Sequence, residues 1–282
     1  MTIAALLLGR GGSIGFPGKN LHLVLGRPLM AYPLLAARGS LHVGRIYVST
    51  DSEEIMAVAR RYGAEVIARP PELCTSQALG EEAYAHGYRE IQERLSREGE
   101  VVEFMVLLFA NAATLTSELI DEGITALRAD PELDSAVSVS RYNMWSPLRA
   151  REIGPNGLLH PFVPFEAFGD PKTMNCDRDS QGDVYFADMS VSIVRPRCLE
   201  RLHEGLLPQR WMGRRIYPLK QWGGCDVDYP WQMPQVEFWL REHGVRPARA
   251  AKRKRARMSA HTITRSARPA RVLRAARARA LS

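Results

Sequence analysis

The chain has 282 residues, 45% of them hydrophobic, and carries 38 Lys/Arg against 31 Asp/Glu for a formal net charge of +7. That apolar fraction suffices for a packed core, while no run approaches the ~20 consecutive apolar residues of a membrane span, which argues against a membrane protein. Thirteen of the basic residues and none of the acidic ones lie from Arg246 onward, so the body holds 25 basic against 31 acidic residues, a net of −6.

In chain order, the apolar "IAALLL" reads as a first strand rather than the core of a signal peptide, because no basic segment precedes it. It runs into "GRGGSIGFPGKN", residues 9–20, a glycine-rich turn whose charges are Arg10 and Lys19. "PLMAYPLLAAR" predicts a helix opened by Pro28. "RIYVST" is a second strand, and "DSEEIMAVARRYG" a helix capped by Asp51 or Ser52 and stopped at Gly63. "AEVIAR" follows as a strand, "SQALGEEAYAHGYREIQERLSREG" as a long amphipathic helix, and "VEFMVLLFA" as a strand apolar on both faces. "TSELIDEGITALRAD", capped by Thr116 or Ser117, and the strand "SAVSVSRY" complete an alternation of strands and helices. Such an order predicts an α/β fold of the Rossmann type, a mostly parallel sheet with helices on both faces. From 142 to 184 the pattern turns irregular and reads as an insert for a second substrate, with Met144 and Trp145 as packing residues. Strand, short helix, strand ("RRIYPLK") and a final helix in "GGCDVDYPWQMPQVEFWLREHG" bring the chain back to the sheet. A domain over 1–245 and a tail over 246–282 are therefore expected. The tail is Arg/Ala-rich and expected to be a disordered, solvated extension; nucleic acid is a possible partner through this tail alone, and the absence of interleaved aromatic residues argues against it. Cys74, Cys176, Cys198 and Cys225 match no zinc spacing and read as reduced thiols of a cytoplasmic protein.

A strand leading into a glycine-rich, cationic turn is how such folds meet a phosphate: bare backbone N–H groups of Gly11 and Gly12, with Arg10, Ser13 and Lys19, suit a triphosphate. As plain structure the same stretch is a tight β-to-α turn. Asp226 and Asp228, two residues apart on an extended segment, point their carboxylates to one side. That suits a hard cation shared with phosphate oxygens, although Asp228 also fits as a cap for the helix opened by Pro230.

The opening loop, "VSTDSEEIMAVARRYGAEVIARPPEL" and "CDVDYPWQMPQVEFWLREHG" together resemble the CMP-sialic acid synthetase family of cytidylyltransferases, in particular bacterial members that handle legionaminic or pseudaminic acid. The resemblance spans residues 3–244. It implies a nucleotidyltransferase that joins CTP to a sialic-acid-like nonulosonic acid and releases pyrophosphate, for surface glycan or flagellin glycosylation, with Mg²⁺ as cofactor and a homodimer as the assembly. By the same resemblance Asn20 and Arg69 contact the nucleotide, Arg69 near the cytosine, and Asp226 and Asp228 hold the Mg²⁺. Arg10, Lys19 and Asp228 are then the catalytic candidates. Arg178, Gln181 and Asp188 fall where relatives bind the sugar, with Arg141 and Asn143 from the preceding stretch as further candidates. Two departures stand out. Ile14 replaces a lysine common in the family's loop, and "FANAAT" replaces a "QPTSP" stretch, which would move base recognition to Asn111 or to backbone groups. The alternatives are a nucleotidyltransferase for another base or acid sugar, and a non-catalytic binder of nucleotides or nucleic acid.

Overall fold

Apolar residues at every position from Ile3 to Leu8 make β1 (Thr2–Leu8) a strand with no solvent face. In the computed structural model, which describes residues 1–175, 177–179 and 182–248, it lies in the middle of a seven-stranded sheet. The chain continues through β2 (Leu23–Val24), β3 (Arg27–Pro28), α1 (Ala31–Gly39), β4 (Val43–Thr50), α2 (Glu53–Arg61), β5 (Glu65–Ala68) and α3 (Gly80–Arg97). Next come β6 (Val102–Phe109), α4 (Ser117–Ala129), β7 (Ser135–Arg141), β8 (Arg151–Ile153) and β9 (Leu159–Pro161). The body closes with β10 (Tyr185–Val194), α5 (Pro196–Glu200), β11 (Ile216–Gln221) and α6 (Met233–Glu242).

The sheet order is β11-β7-β10-β6-β1-β4-β5. All neighbours run parallel except β10, which is antiparallel to both β6 and β7. The carboxyl ends of the six parallel strands therefore share one edge, where α/β sheets place their ligands. Period-two alternation divides β1 between two cores. Ile3, Ala5 and Leu7 pack with α1, α2 and α4, whereas Ala4, Leu6 and Leu8 pack with α3 and α5. A third cluster fastens α6 through Val236, Trp239 and Leu240 to the β2–β3 hairpin, Ala113 and Val227. The expected α/β sandwich is what forms. Ser52 and Thr116 cap α2 and α4 by accepting from Ile55 N and Leu119 N.

Three local expectations are corrected. Pro28 does not open a helix: Leu25 (φ 47°) and Gly26 (φ 78°) form a two-residue turn, Pro28 pairs with Leu23 in the hairpin, and α1 starts only at Ala31. The long helix begins at Gly80, which leaves residues 75–79 as a loop. Met144 and Trp145 are 55% and 64% exposed and so are not packing residues. The insert carries the small β8–β9 hairpin. At the end of the body, Arg246 O accepts from Arg27 Nη1 at 3.0 Å and Ala248 N donates to Leu25 O at 2.8 Å, so the chain still bonds to the body beyond residue 245. The rest of the expected tail, 249–282, lies outside the described residues, as do Cys176 and Gln181. No helix among the described residues is long and apolar enough to cross a membrane.

Candidate active site

The turn after β1 is held to the sheet edge by its own backbone. Gly9 N donates to Ser49 O at 3.2 Å, and Gly11 N donates to Asp51 Oδ1 at 2.9 Å, so the Gly11 amide is engaged by a carboxylate rather than left bare. Gly18, at φ 72°, takes the left-handed conformation that turns the chain into a short 3₁₀ segment, Lys19–Leu21. Buried Asn20 donates Nδ2 to Arg10 O at 3.3 Å and props the loop from beneath.

This loop forms one wall of a cleft of about 390 Å³. Of the residues expected to bind a nucleotide, Arg10, Ser13, Lys19, Asn20, Arg69 and Asn111 line it, together with Asp228. Gly11 and Gly12 are exposed and do not line it. The opposite wall is the 75–80 segment, of which the expected helix had taken in Ser76 to Leu79, and Arg10 Nη1 donates across to Thr75 O at 2.5 Å. Arg69 is buried, with Nε on Ser49 Oγ at 3.1 Å and Nη2 on Ser49 O at 2.6 Å. Burial pulls its pKa down, yet guanidinium remains charged at neutral pH. Neither Arg10 nor Arg69 has a carboxylate within ion-pair distance among the described residues, so two uncompensated cations face one cleft. That is an anion site by charge.

The acidic turn meets the loop directly. Lys19 Nζ lies 2.6 Å from Asp228 Oδ1, an ion pair between residues 209 apart in sequence. Gly15 packs against the same turn so closely that a Cβ there would lie 2.9 Å from Asp228 O, a distance only glycine accommodates without a shift. Val227, fully buried, separates half-buried Asp226 from exposed Asp228. Burial raises the Asp226 pKa and the like charge of Asp228 raises it further, against the opposing pull of Lys19 and of the Asn111 hydrogen bond. A carboxyl raised in this way is relieved by a divalent cation beside it. No group of three or more His, Cys, Asp or Glu gathers among the described residues. The chain thus offers two carboxylates, and the donor set fits a hard cation whose remaining ligands are phosphate oxygens and water.

Of the residues expected to hold a sugar, the described ones, Asp188, Asn143, Arg141 and Arg178, do not line this cleft. Asp188 is buried in β10, its carboxylate accepting from Ser138 Oγ and Ser140 Oγ, both at 2.6 Å, Gln221 Nε2 at 2.9 Å and Ser190 N at 3.2 Å. It is a structural acid, because buried carboxylates must be fully hydrogen-bonded. Asn143 is buried as well, bonding Asp179, Asp183 and Val184 N, while Arg141 pairs with Asp183 at 3.2 Å. Arg178 pairs with Asp179 at 2.7 Å, which with Asn143 holds the Asp179 carboxyl down at about 2. Arg178 lies on a separate hollow of about 530 Å³ in the insert, beside Arg149 and Arg151.

Residues 4–132 match the sequence model of a family described as "Cytidylyltransferase". The N-acylneuraminate cytidylyltransferase of Oncorhynchus mykiss is 46% identical over 71 residues, 25% of this chain and 16% of that protein. The CMP-N,N'-diacetyllegionaminic acid synthase of Legionella pneumophila is 47% identical over 66 residues, 23% of this chain and 28% of that protein. The match therefore covers less than a third of the length of either relative. Among solved structures, a CMP:2-keto-3-deoxy-manno-octonic acid synthetase complexed with CTP superposes over 86% of this chain and 100% of its own, with a TM-score of 0.61 at 13% identity, a likeness of fold. Residues 4–132 are thus similar to the cytidylyltransferase family, stretches of 66 to 71 residues are similar to N-acylneuraminate and legionaminic acid enzymes, and the body shares the fold of the CMP:2-keto-3-deoxy-manno-octonic acid synthetase.

Proposed function

We propose that the chain transfers CMP from CTP to a sialic-acid-like nonulosonic acid, with release of pyrophosphate. The observation that carries this reading is the Lys19–Asp228 pair, which joins a cationic glycine loop to an acidic turn inside the cleft that also holds Arg10 and Arg69. Arg10 and Lys19 hold the triphosphate, and Arg69 lies deeper, toward the base. Asp226 and Asp228 are the residues that would hold Mg²⁺, which when bound neutralises phosphate charge and fixes the phosphates for in-line attack. The anomeric oxygen of the sugar forms the new bond to the α-phosphorus, and its proton passes to a carboxylate of the site and on to water. The bond from the α-phosphorus to the bridging β-phosphate oxygen breaks, so that pyrophosphate leaves. The chain contributes position and charge, the main levers in phosphoryl and nucleotidyl transfer. The acid sugar has to reach the α-phosphate in the cleft, whereas Arg178, paired with Asp179, lines the separate hollow of the insert. The exposed apolar side chains of Ile153, Leu159 and Phe162 on the β8–β9 arm support a second copy of the chain as its partner.

The test is mass spectrometry of products from CTP, Mg²⁺ and a panel of nonulosonic acids, repeated with each other nucleoside triphosphate. A CMP-sugar and pyrophosphate are expected, and Asp228→Ala should abolish both while the protein stays folded. Absence of turnover with every pair, or normal pyrophosphate release by Asp228→Ala, would overturn the proposal.

A further inference from the structure

We infer that Asn111 and Thr114, in the "NAAT" segment after β6, are positioning residues that hold the acidic turn against the phosphate loop. The inference rests on the reading of Asp226 and Asp228 as the metal carboxylates.

Three kinds of contact carry it. First, the two segments bond like a short ladder. Val227 N donates to Asn111 O at 2.9 Å, and Asn111 returns its amide to Val227 O at 3.0 Å and to Asp226 Oδ2 at 3.4 Å. Cys225 N donates to Thr114 Oγ1 at 2.9 Å, with Cys225 O 3.2 Å from the same hydroxyl. The Asn111 amide nitrogen thus has two acceptors inside the chain, and a nucleobase carbonyl would compete with them for its protons. Second, the plug between the carboxylates is apolar: Val227 and Ala113, neither with any exposed surface, pack with α6 in one cluster. Third, the ladder is anchored behind. Gly224 N donates to Ser140 Oγ at 2.9 Å, Gln221 Nε2 reaches Thr114 O at 3.2 Å and Asp188 at 2.9 Å, and a Cβ on Gly224 would come within 2.2 Å of Asp188 Oδ2. Gly224, Cys225 and Val227 are each held through the backbone by groups outside the turn. Side chains behind a metal's carboxylates fix their aim, and their loss weakens the metal by about tenfold or more.

The experiment uses the full chain and Mn²⁺ as probe, with water-proton relaxation reporting the ternary Mn²⁺–CTP complex in the absence of sugar. Thr114→Val and Asn111→Ala should weaken that complex by about tenfold and leave thermal melting cooperative, and Thr114→Val, whose buried hydroxyl does not line the cleft, should leave binding of metal-free CTP unchanged. Thr114→Ser, which keeps the hydroxyl, should return to within about twofold of the parent. Parent-like Mn²⁺–CTP affinity in Thr114→Val overturns the inference, as does an Asn111→Ala protein whose CTP:UTP preference changes while its metal affinity does not. Should Thr114→Val fail to fold, Asn111→Ala decides the question by the same readout. Parent-like metal binding in Asp228→Ala would instead refute the assignment of the acidic pair, a separate result.

Discussion

The buried acid of β10 gives the sharpest quantitative test. In Asp188→Ala, the groups that lose an acceptor divide into two classes. Ser138 Oγ still reaches Val191 O at 3.2 Å, and Gln221 Nε2 still reaches Thr114 O at 3.2 Å and Ser190 Oγ at 3.0 Å, so both stay satisfied. Ser190 N and the Ser140 hydroxyl lose their acceptor outright, in a region where Ser138, Ser140 and Ser190 have no exposed surface. At about 1–3 kcal/mol for each buried orphaned donor, the loss is about 3 kcal/mol. Asp188→Asn keeps one acceptor oxygen and sets its amide against one or two donors, so about 1 kcal/mol is expected. Chemical denaturation followed by tryptophan fluorescence and far-UV circular dichroism reads both values, with coincident transitions as the check on two-state unfolding. An alanine variant within about 1 kcal/mol of the parent, or less destabilised than the asparagine one, would refute the claim that this carboxylate organises its neighbours.

Lys19→Met should lower single-turnover CMP transfer by about a hundredfold or more with little change in melting, because the partner Asp228 is 57% exposed and such pairs contribute at most about 1 kcal/mol. Ile14→Lys, at a position that lines the cleft and is 82% exposed, should tighten CTP binding by about two- to fivefold at low salt and lose that gain at high salt, read by titration calorimetry. Burial alone would raise the Asp134 carboxyl, but the N–H groups of Arg214 and Arg215 and the Arg197 side chain together lower it below its unfolded value. Its stabilisation is therefore complete above the unfolded carboxylate pKa and is lost as pH falls through the depressed native one. Asp134→Asn should be about 2 kcal/mol less stable than the parent at neutral pH, converging with it below that native value in denaturation curves taken across the acid range.

What the sequence disclosed, and what it withheld, follows from the range over which each signal acts. Strands β1, β4 and β6, the caps Ser52 and Thr116, and the cationic loop are written in adjacent residues, and each formed where local pattern placed it. The β2–β3 hairpin was hidden because its first turn position is Leu25 rather than a turn former, so Pro28 looked like a helix start. Asp188 was misleading, and the inward bonds of Asn111 went unseen, for a different reason: a polar side chain takes its role from whichever donors and acceptors the fold delivers. Those for Asn111 come from a turn 115 or 116 residues away, and those for Asp188 from strands 33 to 50 residues away. One cue to Asp188 was nevertheless present. An acid inside the otherwise buried pattern of "YFADMSVSIV" cannot stay buried without donors, and "SVSR" in β7 presents Ser138 and Ser140 two residues apart, on one face of its strand. Reading that acid as half of a cross-strand pairing, rather than as an exposed ligand, would have placed it beneath the acidic turn instead of beside the sugar.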